Sequence, residues 1–410
     1  MSSDRHFVIV GGGLGAAKLA EALRARDFEG LVTLIGAEEH LPYERPPLSK
    51  EHLAGKKSLP EFTVDPGQWY RDHHIDVRLG TTVTGLDPAA KTVTLPDGST
   101  LSYDKLALAT GSTPRTLPVP GADAPNVYTL RTIEDSDTLI ELFRSARRIV
   151  IIGAGWIGLE VAAAARAAGV EVTIVERADL PLRAVLGPEM AQVFADLHRA
   201  NGVDFRFEAQ VEAITTEEAI ATDVANGVRL ADGSTIEADA VLVAVGARPN
   251  VELAADAGLA VDDGVLVDER LATSDPDIVA VGDIAAQQHP VLGRRVRVEH
   301  WANALNQPAV AAETMLGKQA AYDRLPYFFT DQYDLGMEYT GFAAPDEYAR
   351  LVVRGDTAAR EFVAFWLDSD NRVLAGMNVN VWDVTDRIKE LILAGEPVDP
   401  DRLADTTTKL

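Results

Sequence analysis

The sequence predicts an α/β chain with two Rossmann-like βαβ dinucleotide-binding units followed by a C-terminal α+β domain. Two observations carry this. An apolar run, a glycine-rich turn and an alanine-rich helical stretch occur first near residue 7 and again near residue 149. After about residue 318 the strand-helix alternation gives way to short apolar runs of antiparallel type, Tyr327-Phe328-Phe329, Val352-Val353, Phe362 to Trp366 and Val373 to Asn378.

In the first unit Phe7 to Val10 reads as a buried strand. Gly11-Gly12-Gly13-Leu14-Gly15-Ala16 is the turn, and an Ala/Leu pattern through Arg26 is the helix. In the second, Ile149 to Ile152 leads into Gly153-Ala154-Gly155-Trp156-Ile157-Gly158 and a helix through Ala168, closed by Gly169. A further strand completes each unit, Leu31 to Ile35 and Val172 to Glu176. The first glycine, Gly11 or Gly153, permits the tight strand-to-helix turn, and the second, Gly13 or Gly155, lets the backbone approach a pyrophosphate. The third position, Ala16 or Gly158, must be small for helix and strand to pack closely. The pyrophosphate then rests on the helix N-terminus, where unpaired N–H groups meet an anion. Two such fingerprints in strand-turn-helix context are far more specific than one.

Acids beyond the second strands bear on the ribose. Glu176, 21 positions after Gly155, can accept from a 2′-hydroxyl and repels a 2′-phosphate, which favours NADH over NADPH. Arg177 beside it pulls the other way. In the first unit Glu38, within Gly36-Ala37-Glu38-Glu39, reads equally as a ribose ligand or as a solvated loop carboxylate. Leu106 to Thr110 before Gly111, and Val241 to Val245 before Gly246, read as crossings between two domains, while Ile278 to Val281 delivers Asp283 just past a buried strand. The expected division is 1–110 with 246–320, then 111–245, then 321–410.

Composition narrows the chemistry. The 410 residues carry 38 basic and 63 acidic side chains, a net charge of −25, and no cysteine. Thiolate nucleophiles, dithiol relays, disulfides and cysteine-ligated clusters are therefore excluded within this chain, no metal site is expected, and redox chemistry must run on a bound organic cofactor. The acidic balance argues against nucleic acid and anionic membranes. No apolar run approaches the ~20 residues of a membrane span. Met-Ser-Ser-Asp-Arg-His runs straight into the first strand, which leaves no room for a signal peptide and gives a cytoplasmic expectation.

Taken in order, the two glycine-rich units, Tyr43-Glu44-Arg45-Pro46-Pro47-Leu48-Ser49-Lys50, Ala109-Thr110-Gly111, Val281-Gly282-Asp283 and Glu299-His300-Trp301-Ala302-Asn303-Ala304 resemble the FAD-dependent, NADH-linked ferredoxin reductases of bacterial oxygenase systems. That family lies within the glutathione-reductase-like superfamily. Across the whole chain, the resemblance implies a first domain for FAD and a second for NAD. The first glycine loop is then the FAD pyrophosphate site, with Leu14 at a backbone contact and the Ala37-Glu38 turn near the adenosine ribose; where members often carry an acid, this chain has Ala37. Arg45 and Lys50 match flavin-contacting positions, Val83 a backbone adenine contact and Arg131 another FAD contact. Asp283 matches the acid that holds the ribityl chain. Trp301 matches the residue beside the isoalloxazine ring, although taken alone a tryptophan in this setting reads as packing. Ala109, Gly111 and Gly246 fall in the same cofactor-binding stretches. Glu160 matches an acid that pairs with Lys50 near flavin N5, a pair that positions nicotinamide without donating protons.

The activity implied is hydride transfer from NADH to FAD, then single electrons to a [2Fe-2S] ferredoxin feeding a cytochrome P450 or a ring-hydroxylating oxygenase, by a monomer or weak homodimer. Rubredoxin or another acceptor, a quinone, and an NADH-switched role in partner binding stand as alternatives. A ferredoxin is typically acidic, so docking on a chain of −25 charge needs a local basic surface. Arg294, Arg295 and Arg297, the densest basic cluster, form either that landing site or a set of solvated hairpin arginines.

Overall fold

The computed structural model describes residues 4–217 and 223–410. The first three residues, on which the expectation of no leader partly rests, lie outside the described residues. The chain forms two compact units. One gathers the residues up to Arg45 with Leu59–Thr113 and Arg248–Pro326; the other gathers Pro46–Ser58, Pro114–Ala247 and Tyr327–Leu410.

The first unit is built on a five-stranded parallel sheet in the order Ile278–Ala280, Lys105–Leu108, His6–Val10, Leu31–Ile35, Ile75–Arg78. The strand that feeds the glycine-rich turn is central. Phe7, Val8 and Ile9 are fully buried, because both faces of this parallel sheet are covered, Val93 of the antiparallel Thr92–Thr94 strand joining the same core, and a strand buried on both faces becomes a continuous apolar run. The Leu14–Arg24 helix buries Leu19, Ala20 and Leu23, and the Trp301–Met315 helix adds Ala311 and Ala312.

The second unit repeats the plan. Its parallel sheet runs Val203–Arg206, Glu171–Val175, Arg148–Ile152, Ala240–Val243, Val127–Tyr128, again with the glycine-loop strand in the centre. It also holds the C-terminal part, a five-stranded antiparallel sheet in the order Tyr327–Gln332, Leu335–Gly341, Val373–Val379, Glu361–Leu367, Arg350–Asp356. Ile151, Leu159 and Phe194 of the parallel part share one apolar core with Met337, Phe362 and Trp366 of the antiparallel part. That shared core is why the two parts form one compact unit.

Pro46–Ser58 departs from the expected boundaries. It belongs with the second unit, because its bonds lie there. Ser136 Oγ donates to Leu48 O at 2.8 Å, His52 Nε2 lies 2.8 Å from Asp137 Oδ1, and Leu53 joins the core around Ile151.

Candidate functional site

Each glycine-rich turn shows what its glycines are for. At Gly11 φ is +133°, and an added Cβ would come 2.1 Å from Ala109 O. At Gly153 φ is +104°, and the same atom would come 2.4 Å from Ala244 O. These turns close on the neighbouring strand, Gly11 N donating to Ile35 O and Gly153 N to Val175 O, and only glycine fits. At Gly13 and Gly155 a Cβ would meet no atom within 4 Å. The absence of a side chain at these two positions answers to nothing in the chain itself.

Gly13 and Gly155 are also the N-caps of the Leu14–Arg24 and Trp156–Ala167 helices. Neither cap makes a side-chain hydrogen bond, and neither first turn carries an acid. The first-turn N–H groups therefore stay available to a pyrophosphate, and the residues present fit a dinucleotide at both turns. The third small position works as expected: Ala16 is fully buried, and a Cβ on Gly158 would come 2.3 Å from Gly153 O.

The acids beyond the second strands are held differently. Glu38 Oε1 accepts from Arg45 at 2.7 Å and Oε2 from the Tyr43 hydroxyl at 2.5 Å. Burial works against the Arg45 charge, but Glu38 opposes it and the guanidinium pKa is raised. Glu176 accepts from backbone instead, Ala154 N at 2.8 Å and Ala178 N at 2.9 Å. Ala37 is exposed and Val83 packs at the edge of the first unit's core.

Asp283 follows the Ile278–Ala280 strand in a short 3₁₀ turn, and its Oδ2 accepts from Ser112 Oγ at 2.7 Å. Gly282 N donates to Gln307 Oε1, which ties that turn to the Trp301–Met315 helix. Trp301 opens this helix, with His300 as N-cap. Burial drives the His300 pKa down to about 4, with Asp283 opposing. Gly111 and Gly246 both have positive φ, +67° and +94°. Arg131 sits before the Ile133–Ser145 helix, its N–H donating to Asp135 Oδ2.

In the second unit Lys50 and Glu160, 110 positions apart in sequence, form an ion pair of 2.8 Å with 9% and 3% of their side chains exposed. Glu160 also accepts from Ser49 Oγ at 2.5 Å and Thr330 Oγ1 at 2.6 Å. The Phe329 ring lies 5.3 Å from Lys50 Nζ. Asp331, an exposed residue between the buried Thr330 and Gln332, has its pKa raised by partial desolvation, against the pull of Lys50. Sequence reasoning missed Ser49 and Thr330 here, as it missed Ser112 and Gln307 around Asp283. Ser49 stood within the recognised Arg-Pro-Pro-Leu-Ser-Lys stretch, whereas the other three carry no local signal.

Two arginines of the basic cluster, Arg295 and Arg297, bond to neighbouring residues. Arg297 is only 12% exposed; it pairs with Asp263 and Glu299 and donates to Asp283 O. Arg295 donates to Val267 O and Ala286 O. Both guanidiniums tie the hairpin of Ala285–His289 and Arg294–Val296 to the neighbouring Gly264–Val267 strand, because Val267 O and the Asp263 carboxylate lie within reach. Ile157 is exposed at the second turn, while the Trp156 ring packs against Phe194 and Phe328. Among the described residues no cluster of metal-ligating side chains occurs, and no helix is long and apolar enough to cross a membrane.

Comparison with known proteins places this geometry. Residues 5–307 match the family described as pyridine nucleotide-disulphide oxidoreductase, and residues 327–410 match the reductase C-terminal domain. The chain is 42% identical over 409 residues to the 5,5′-dehydrodivanillate O-demethylase ferredoxin reductase subunit of Sphingobium sp., covering 99% of this chain and 98% of that protein. It is also 42% identical to the anthranilate 1,2-dioxygenase system ferredoxin–NAD(+) reductase component of Burkholderia cepacia, over 100% and 99% of the two chains. Among solved structures it is similar to the reductase in the covalent putidaredoxin reductase–putidaredoxin complex, with a TM-score of 0.94, 38% identity and 99% and 97% coverage.

Proposed function

The chain belongs to the pyridine nucleotide-disulphide oxidoreductase family, and from that premise we propose that it is an NADH-dependent ferredoxin reductase containing FAD. Its electrons go to a [2Fe-2S] ferredoxin that feeds a cytochrome P450 or ring-hydroxylating oxygenase, in the cytoplasm. The observation that carries this reading is the full-length similarity to ferredoxin reductase components, C-terminal domain included, in a chain without a single cysteine. The dithiol chemistry for which the family is named has no residue to run on here.

The chemistry supplied by bound FAD would be acceptance of a hydride and release of single electrons. The chain's own residues bind and orient. The helix N-terminus at Gly13 would hold the FAD pyrophosphate, while Arg45, Val83, Ala109, Gly111, Asp283 and Trp301 of the same unit would hold the rest of the cofactor. The turn at Gly155, with Ile157, Gly246 and Glu176, holds NADH. The Lys50–Glu160 pair positions the nicotinamide: a cation fixed on a buried carboxylate supplies alignment, which hydride transfer needs more than acid–base help. The ferredoxin lands near Arg294, with Arg295 and Arg297 shaping the hairpin beneath it.

Anaerobic titration of the purified protein tests the reading. NADH should bleach a band at about 450 nm, characteristic of bound flavin, and NADPH should do so far less readily. A protein that stays colourless after incubation with FAD would end the proposal.

A further inference from the structure

Glu160 is the end of a longer buried series. Its Oε1 accepts from Thr330 Oγ1 at 2.6 Å, and Thr330 Oγ1 accepts from Gln332 Nε2 at 3.1 Å. Gln332 Oε1 lies 2.8 Å from His198 Nε2, and His198 Nδ1 lies 3.4 Å from the Tyr333 hydroxyl. Glu160, Thr330, Gln332 and His198 are all essentially fully buried.

The hydrogens in this series run one way. A carboxylate can only accept, so the Thr330 hydroxyl hydrogen points at Glu160 and its lone pair receives the Gln332 amide N–H. The other end of that amide is a carbonyl, which requires the hydrogen on His198 Nε2. Burial holds the His198 pKa down at about 4, so the ring is neutral and Nδ1 is left to accept from Tyr333. No link conflicts with its neighbour, and every dipole in the series adds to the next toward the carboxylate.

Three consecutive residues of one strand serve the pair. In Tyr327–Gln332, Thr330 reaches Glu160, Phe329 lies by Lys50, and Phe328 packs on Trp156 at the start of the Glu160 helix. Without Thr330, Glu160 Oε1 would be held by Lys50 alone and the carboxylate could turn about its last torsion. With Ser49 on Oε2 and Thr330 and Lys50 on Oε1, both oxygens are pinned. Apolar side chains could fill the same space without needing partners, so a fully satisfied polar series points to a task beyond packing.

We propose that Thr330, Gln332 and His198 are positioning residues, a one-way series of donors that fixes the Glu160 carboxylate and through it the Lys50 ammonium during hydride transfer. The functional half of this rests on the reading that the Lys50–Glu160 pair serves that step.

Thr330→Val removes the donor at nearly constant shape, and Thr330→Ser restores it. The first readout is trace acetylation of lysines in the FAD-loaded protein by acetic anhydride, read by mass spectrometry. Lys50 in Thr330→Val should react about tenfold faster than in the wild type, the scale of one hydrogen bond to a charged group, and Thr330→Ser should return it to the wild-type rate. Lys105, bonded to Asp277 in the other unit, should not change, which separates a local effect from general loosening. The second readout is stopped-flow flavin bleaching at saturating NADH, slowed in Thr330→Val with little change in NADH affinity. Gln332→Met, one link further back, should shift both readouts the same way by a smaller factor, and it serves if Thr330→Val fails to fold. Unchanged Lys50 labelling in a folded Thr330→Val, or a Thr330→Ser variant that behaves like it, would overturn the proposal. Lys50→Ala separates the two ideas: normal bleaching there removes the pair's role in hydride transfer, while the labelling still judges the donor series.

Discussion

At the first glycine-rich turn the acid beyond the second strand is gripped by side chains, and at the second by backbone. Glu38 takes the Arg45 guanidinium and the Tyr43 hydroxyl, whereas Glu176 takes the N–H groups of Ala154 and Ala178. Ala154 lies inside the second turn itself, between Gly153 and Gly155. Glu176 is thus both part of the scaffold that shapes its turn and a candidate ribose ligand, while Glu38 rests on two side chains, the part-exposed Arg45 and the buried Tyr43. The two turns share strand order, glycine positions and uncapped helix starts. They differ in how firmly the acid beyond the second strand is tied to the glycine-rich turn.

The largest effects should come from the shared part. Gly11→Ala puts a Cβ against Ala109 O, and Gly153→Ala puts one against Ala244 O, both at positive φ. A left-handed non-glycine residue alone costs about 1–3 kcal/mol, before the clash is counted. Gly11→Ala should emerge colourless, having lost FAD. Gly153→Ala should keep its flavin band but need at least a hundredfold more NADH to bleach it. Gly155→Ala sharpens the contrast: its Cβ meets no atom of the chain, so melting temperature should hold while NADH binding weakens. A Gly153→Ala variant that binds NADH normally would show that the second turn is no nucleotide cradle.

Acid should strike both units. His198 in one and His300 in the other each have a pKa lowered to about 4 by burial, so protonation favours the unfolded chain, where an imidazole titrates near 6.5. Their contribution is complete above pH 6.5 and is lost as pH falls from there toward 4. For His198 alone the full loss is roughly 3 kcal/mol. Melting temperature measured across that window should drop steeply. His198→Gln, which keeps a donor toward Gln332, should flatten part of the drop; an unchanged slope would mean the ring is already charged in the folded state.

Legibility in the sequence followed locality. The strand, glycine turn and helix of each unit lie within about 30 residues, and their spacing is fixed by backbone geometry, so both were readable. Lys50 and Glu160 came from the resemblance, and the structure brings them to 2.8 Å. Thr330, Gln332 and His198 were invisible, because Thr330 is 170 positions from Glu160 and Gln332 is 134 from His198. The Leu335–Gly341 strand gave no expectation either: glycines at both 336 and 341 interrupt its apolar run. Arginines 295 and 297 read as a charge cluster because composition counts charges and cannot see the carbonyls and carboxylates that fold back on them.

The smallest effect isolates the difference between the two acids. Glu176→Gln leaves one carboxamide oxygen for two backbone N–H donors, and its NH₂ faces the other donor head on. Backbone donors cannot swing away, so the loss should approach the 1.5–3 kcal/mol scale of a hydrogen bond to a charged group. It should lower the melting temperature and raise the KM for NADH together. Glu38→Gln releases Arg45, whose part-exposed side chain can turn to solvent, and keeps an amide beside the hydroxyl of the buried Tyr43. The Arg45–Glu38 pair is roughly a quarter exposed on each side, and part-exposed pairs of this kind contribute about 0.2–1 kcal/mol. Melting should then shift by only a few degrees or less, with the KM for NADH unchanged. Equal losses in the two variants would mean that the side-chain grip on Glu38 is as rigid as the backbone grip on Glu176, and the distinction between the turns would vanish.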